Sequence, residues 1–232
     1  MMARAAPIDH HHDAERVYVP VDAFTFEGFQ RWVESEEFPQ TGRIDFVAGE
    51  VEVDMSPEDP GSHSVVKVAI SKTLQILVSE QDLGEVYSDS TRLTHARASL
   101  STEPDVMVAL WDTFDRGRVR YVPARQSPDR VPTVDGSPDL VVEVVSNSSV
   151  RKDTVILPPL YAKANIPERW LVDARQELRF EVFTLHNGEY AAVAPDPDGW
   201  TPSPVLGGRF RLVRLRTRRG NWRYVLEHTE AP

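Results

Sequence analysis

Two acidic segments constrain this chain more than any other feature: Glu-Pro-Asp-Val-Met-Val at residues 103–108 and Pro-Asp-Leu-Val-Val-Glu-Val-Val-Ser at residues 138–146. Each sets a carboxylate inside or beside a run of apolar, largely β-branched residues, the composition of a buried strand. Ionised carboxylates are seldom buried without a partner. Asp105 and Glu143 both have valine neighbours. If their strands are adjacent in one sheet, their oxygens converge, and a hard divalent cation such as Mg2+ is the natural partner. The alternative is a pair of strand-end acids that cap a helix or face water.

With 232 residues, 41% of them hydrophobic, the chain can bury a full core. No apolar run approaches membrane-spanning length and the N-terminus has no signal-peptide core, so a soluble, cytoplasmic protein with no membrane partner is expected. The absence of cysteine excludes disulfides, thiolate nucleophiles and Cys-ligated zinc. A net charge of -10 argues against a general polyanion-binding surface. Nucleic acid would have to be met through a local basic patch or through metal-bridged phosphates.

Residues 1–19 read as a flexible tail and residues 20–228 as a single domain. The triplet His10-His11-His12 falls in the tail and is given no catalytic role. Phe26, Phe29, Trp32 and Val33 recur at helical spacing, with Asp22 or Thr25 available as a cap. Residues 43–55 read as a hairpin turning at Ala48-Gly49, and residues 65–78 as a second amphipathic helix. Strands are expected at 85–94, 104–110, 140–145, 169–173, 178–185 and 189–194, with only a short helix at 160–164. The polar, Arg-, Asp- and Pro-bearing stretch 111–136 reads as a long surface excursion. This order of elements specifies an α/β domain with a central mixed β-sheet flanked by helices.

Several motifs then fall in a recognisable order: Asp45 to Glu50, a following Met-Ser-Pro and His63, Pro104-Asp105-Val106, the segment Pro138 to Ser146, Asp153, Tyr161, and Pro167-Glu168-Arg169-Trp170-Leu171-Val172-Asp173. This order resembles the Uma-type family of restriction-endonuclease-like proteins, within the PD-(D/E)XK nuclease superfamily. The resemblance implies a restriction-endonuclease-like core and metal-assisted hydrolysis of DNA phosphodiester bonds, with Mg2+ or Mn2+ as cofactor. A homodimer is the expected assembly. It maps the metal ligands onto Asp105 and Glu143, with the carbonyl of Val144 as a further ligand. It also places Asp45 and Asp153 in supporting roles.

The chain departs from that pattern at the catalytic lysine. The superfamily's usual seat, two residues after the strand acid, is Val145 here. The seat common in the Uma-type relatives, four residues after the acid matching Asp153, is Leu157. Pro158-Pro159 removes two amide donors, so a helix is not expected to run smoothly through from Asp153. Arg151, Lys152 and Lys163 are the candidate replacements, and Lys152 is the nearest to the acids. A loop lysine is ordinarily solvated, and that is the preferred reading of Lys152. The readings left open are a DNA endonuclease and a catalytically silent or repurposed member of the fold. His63 is either a phosphate or outer-shell contact or a residue with a helix-cap or packing role. The basic run Arg209 to Arg219 reads as an edge strand with a bulge at Leu212-Val213, with structural pairing of its arginines preferred over phosphate tracking.

Overall fold

The computed structural model describes residues 16–39, 41–123 and 133–230. The His triplet and most of the expected tail, residues 1–15, lie outside the described residues. Val17 and Val19 pack on an aromatic cluster formed by helix α1 (Phe26–Val33), whose Phe29 and Trp32 are buried against Phe46. Thr25 caps α1 by accepting the Gly28 amide at 3.1 Å. The hairpin follows as β1 (Arg43–Val47) and β2 (Glu50–Asp54), with Ala48 and Gly49 at φ 54° and 84° in the turn. Helix α2 (Val65–Glu80) enters through a wide i→i+5 turn at Pro60–Ser64, in which Ser64 donates to the Asp59 carbonyl.

The single strand expected at 85–94 is two strands, β3 (Gly84–Ser88) and β4 (Arg92–His95). Asp89 and Ser90, both left-handed at φ 38° and 57°, break it between them and send the halves to different sheets. Next come β5 (Leu100–Thr102), β6 (Val106–Leu110), α3 (Trp111–Asp115), β7 (Val119–Val122) and β8 (Thr133–Gly136). The described part of 111–136 is therefore no mere excursion. Buried Val119, Thr133 and Val134 anchor two paired strands there.

After β9 (Leu140–Val144), a second i→i+5 turn at Lys152–Ile156 runs directly into α4 (Leu157–Lys163). The helix thus does run through from Asp153, contrary to the break expected at the proline pair. The Leu157 amide donates to the Lys152 carbonyl, and the widened turn relieves the clash a proline ring makes with the carbonyl four residues back. The chain ends with β10 (Glu168–Asp173), β11 (Arg179–His186), β12 (Glu189–Ala192), β13 (Thr201–Ser203), β14 (Gly208–Arg216) and β15 (Trp222–Glu230).

The central sheet has the order β12-β11-β10-β9-β6-β3 and is mixed: β9 and β10 run parallel, the other neighbours antiparallel. The α/β reading therefore holds. A second six-stranded sheet has the order β2-β1-β5-β4-β8-β7, and a third comprises β13-β14-β15. Val106, Val108, Leu140, Val142 and Val144 face α2 and the C-terminal sheet, while Met107, Ala109 and Val141 face α4. Period-two alternation assigns Asp105 and Glu143 to the α4 face. Among the described residues no helix is long and apolar enough to cross a membrane.

The arginine-bearing strand corrects the sequence reading in two respects. β14 is the middle strand of its sheet, and it pairs with β15 residue for residue from Gly208 to Arg216 without a bulge. Arg211 donates to Glu227 at 2.7 and 2.9 Å, Arg214 donates to the Gln176 carbonyl, and Arg216 stacks 3.7 Å from the Trp222 ring centre. Each is engaged within the chain. Replacing all three with Gln is expected to cost roughly 1–3 kcal/mol, summing exposed ion pairs and cation–π contacts, and to leave any duplex affinity unchanged. Thermal unfolding and a DNA titration check this, and loss of salt-dependent duplex binding with an unmoved melting temperature would count against it.

Candidate metal centre

The β6·β9 register sets Val106 opposite Val142 and Met107 opposite Val141. One step further along places Asp105 opposite Glu143, and opposite residues of an antiparallel pair share a face. Both are almost fully buried, at 1% and 4% exposure. Asp105 Oδ2 accepts the Val144 amide at 2.7 Å, and Oδ1 accepts from Arg43 Nη2 at 3.0 Å. His63 Nε2 lies 3.4 Å from Oδ2, and Lys67 Nζ lies 3.9 Å from Oδ1. Because a strand residue's N–H and C=O point to the same side, the Val144 carbonyl is aimed toward the Asp105 side as well. Glu143 accepts a hydrogen bond from the Tyr161 hydroxyl, carried on the buried face of α4.

Lys152 is not a solvated loop residue. It is 6% exposed, and its ammonium donates to Asp45, itself 1% exposed on β1. Asp45 also accepts the Glu103 amide at 3.2 Å, with Arg92 Nη1 3.7 Å away. Asp153 is buried and accepts from Ser149 Oγ at 2.5 Å. Both wide turns thus deliver site side chains, His63 from the first and Lys152 with Asp153 from the second; such turns recur where a helix must re-aim its residues at a site. Lys163 and Arg151 are exposed and take no part, while His63 is a buried neighbour of Asp105 and not a helix cap.

Charge is divided unequally among these acids. Asp105 is held down to about 2 despite its burial, because His63, Arg43 and the Val144 amide all stabilise its ionised form. Glu143 is pushed well above the carboxylate range by burial and by the nearby charges of Asp153 and Asp105. Burial raises Asp153 to about 7 against the Ser149 hydrogen bond, with Asp105 adding to the rise. Burial opposes the Lys152 ammonium, but Asp45 more than compensates and its proton is held above the ordinary lysine range. The centre therefore carries excess negative potential at Glu143 and Asp153.

Asp105, Glu143 and the Val144 carbonyl offer only oxygen donors, the set a hard cation prefers. Among the described residues no three Asp, Glu or His side chains are drawn together as a formed metal cluster; Asp105 is engaged by Arg43 and His63 instead. A cavity of about 290 Å³ opens over the centre, bordered by Arg43, Asp54, Glu58, His63, Glu103 and Ser146. Sequence reasoning passed over Arg43 and Lys67. Their signals are positional: Arg43 lies two residues before Asp45 on an alternating strand, and Lys67 lies one helical turn beyond His63.

A family model described as Uma2, "putative restriction endonuclease", matches residues 26–214. The chain belongs to the Uma2 family. The matched span includes Asp45, Asp105, Glu143, Lys152 and Asp153, and it leaves β15 outside. Among solved structures, a "putative nuclease belonging to DUF820" from Anabaena variabilis ATCC 29413 superposes with a TM-score of 0.55 at 19% identity, covering 78% of this chain and 90% of that one. That likeness concerns the fold. Comparison with curated proteins gives no match.

Within the Uma2 fold, Leu157 is a core residue. It is fully buried in a cluster with Met107, Val141 and Tyr161. Leu157→Lys is expected to destabilise the protein by about 3 kcal/mol or more, since it places a charge in that cluster, and to confer no gain in DNA hydrolysis. Denaturant unfolding and plasmid nicking measure the two effects, and a stable variant with raised nicking would refute the expectation.

Proposed function

We propose that this Uma2 protein is a metal-dependent endonuclease that hydrolyses DNA phosphodiester bonds, with Asp105, Glu143 and the Val144 carbonyl holding Mg2+ or Mn2+. The observation that carries this reading is the burial of Lys152 beside Asp45, at the edge of the acidic centre. Both expected lysine seats are apolar, yet an ammonium is present, delivered by the wide turn ahead of α4. When bound, the ion would neutralise charge on the phosphate and lower the pKa of a bound water. Asp45 fixes the position of Lys152, whose ammonium orients the attacking water. Tyr161 orients Glu143 through its hydroxyl. Asp153 reinforces the negative potential that attracts the cation.

One observation favours the second reading, a silent or repurposed nuclease fold: both Asp105 oxygens are already engaged, Oδ1 by Arg43 and Oδ2 by the Val144 amide. Supercoiled plasmid separates the two. Nicking is expected with Mn2+ or Mg2+, is abolished by chelation, and falls at least about 100-fold in Asp105→Asn, the scale of removing a group that acts in the transition state. Wild-type protein that leaves plasmid intact at every metal concentration would establish the silent reading instead.

A further inference from the structure

Arg43 stands first on β1, at the border of the cavity, with its guanidinium 3.0 Å from Asp105 Oδ1. The charges of Asp105 and Asp45 act on it most strongly, so one side chain serves as counter-ion to two carboxylates. It is also the cation of the centre best placed to move. Its side chain is 24% exposed, whereas Lys152, Arg92 and Lys67 are 6%, 4% and 5% exposed. Lys152 is tied to Asp45, Arg92 to Glu103, and Lys67 to Glu58 and Asp89. Among the described residues, Asp105 is the one hydrogen-bond acceptor of the Arg43 side chain.

We propose that Arg43 is a resident counter-ion that a divalent cation displaces from Asp105, and that the displaced guanidinium turns into the cavity and binds a phosphate of the incoming nucleic acid. This rests on the metal-dependent reading of the same centre. A divalent cation and a guanidinium on the same carboxylate oxygen repel each other at close range, so metal and guanidinium compete for Oδ1. A guanidinium released within reach of an acidic centre is a fork suited to a phosphate, which brings its own negative charge to the site. Metal and nucleic acid then favour each other through Arg43, and the coupling is reciprocal.

The test is a pair of titrations on the full chain. Mn2+ is titrated into metal-free wild type and Arg43→Gln with detection of the free ion by electron paramagnetic resonance. The variant is expected to bind Mn2+ at least about 10-fold more tightly, within the usual range of coupling between linked sites. Equal or weaker binding overturns the proposal. In the second titration, fluorescence anisotropy follows a phosphorothioate duplex, which resists hydrolysis, with Mn2+ present. Here Arg43→Gln is expected to bind the duplex more weakly despite its tighter metal, with a salt dependence flatter by about one unit. Unchanged duplex affinity and slope overturn it. Arg43→Lys keeps the charge and guards against a folding defect in the glutamine variant; values between those of wild type and Arg43→Gln are expected in both titrations, and values equal to those of Arg43→Gln in both would overturn the proposal, because the charge would then not matter. If wild type binds Mn2+ through Asp105 but Arg43→Gln changes nothing, only this proposal fails. If neither protein binds Mn2+, the endonuclease reading fails with it.

Discussion

Lys152→Met is expected to lower metal-dependent plasmid nicking at least about 100-fold and to destabilise the fold by at most roughly 3–5 kcal/mol, the cost of breaking a buried ion pair by removing one member. The group that loses its hydrogen-bonded cation is Asp45, as deeply buried as Asp105, with only Arg92 left nearby at 3.7 Å. Adding Asp45→Asn removes that stranded charge while preserving an acceptor for the Glu103 amide. The double variant is therefore expected to regain most of the lost stability and none of the lost activity. Chemical denaturation and a nicking assay on the four combinations form a complete cycle. If the double variant recovers nicking along with stability, Lys152 acts only by holding the fold together.

Raising the pH is expected to weaken the metal-free protein through Asp153 and Glu143. Both have folded-state pKa values above their unfolded ones, Asp153 near 7, so the stability they contribute is complete below about pH 4 and is lost as the pH rises through their folded values. Asp105 works in the opposite sense. Held down to about 2, it contributes stability above about pH 4 that disappears as the pH falls through about 2. Asp153→Asn, which keeps an acceptor for Ser149, should flatten the curve between pH 5 and 8. At pH 8 it gains at most about 4 kcal/mol over wild type, from ~1.4 kcal/mol per pKa unit. Bound metal removes the same penalty. Mn2+ binding near pH 6 is expected to release about one proton, seen by calorimetry in buffers of different ionisation enthalpy. A proton count of zero, together with a flat wild-type stability curve, would show that these two acids are ionised without a partner.

The pairing of Asp105 with Glu143 was legible in the sequence because each acid interrupts a valine-rich strand, and a period of two assigns faces once the strands are neighbours. The position of Lys152 was not. Its partner Asp45 lies 107 residues away, and nothing local distinguishes a lysine that turns inward from one that points to water. Arg43 and Asp105, 62 residues apart, pose the same difficulty. The second sheet escaped reading for a different reason: β4, β5, β7 and β8 are three or four residues long, too short for alternation to be told from chance. In β14 the alternation was visible but its partners were not. Trp222 and Glu227 on β15 supply the partners that the preferred structural reading of the arginines required.

The wide turn ahead of α4 has a consequence for how the sequence is read. A helix containing one i→i+5 turn holds one residue more than a regular helix of the same rise, and each extra residue rotates everything beyond it by about 100°. Four residues past Asp153 is then no longer one turn directly above it, and that address belongs to Leu157 and the core. A side chain can accordingly keep its place in space while migrating between columns of an alignment. A search for a lysine four residues past Asp153 would find only Leu157, although the Lys152 ammonium sits beside Asp45.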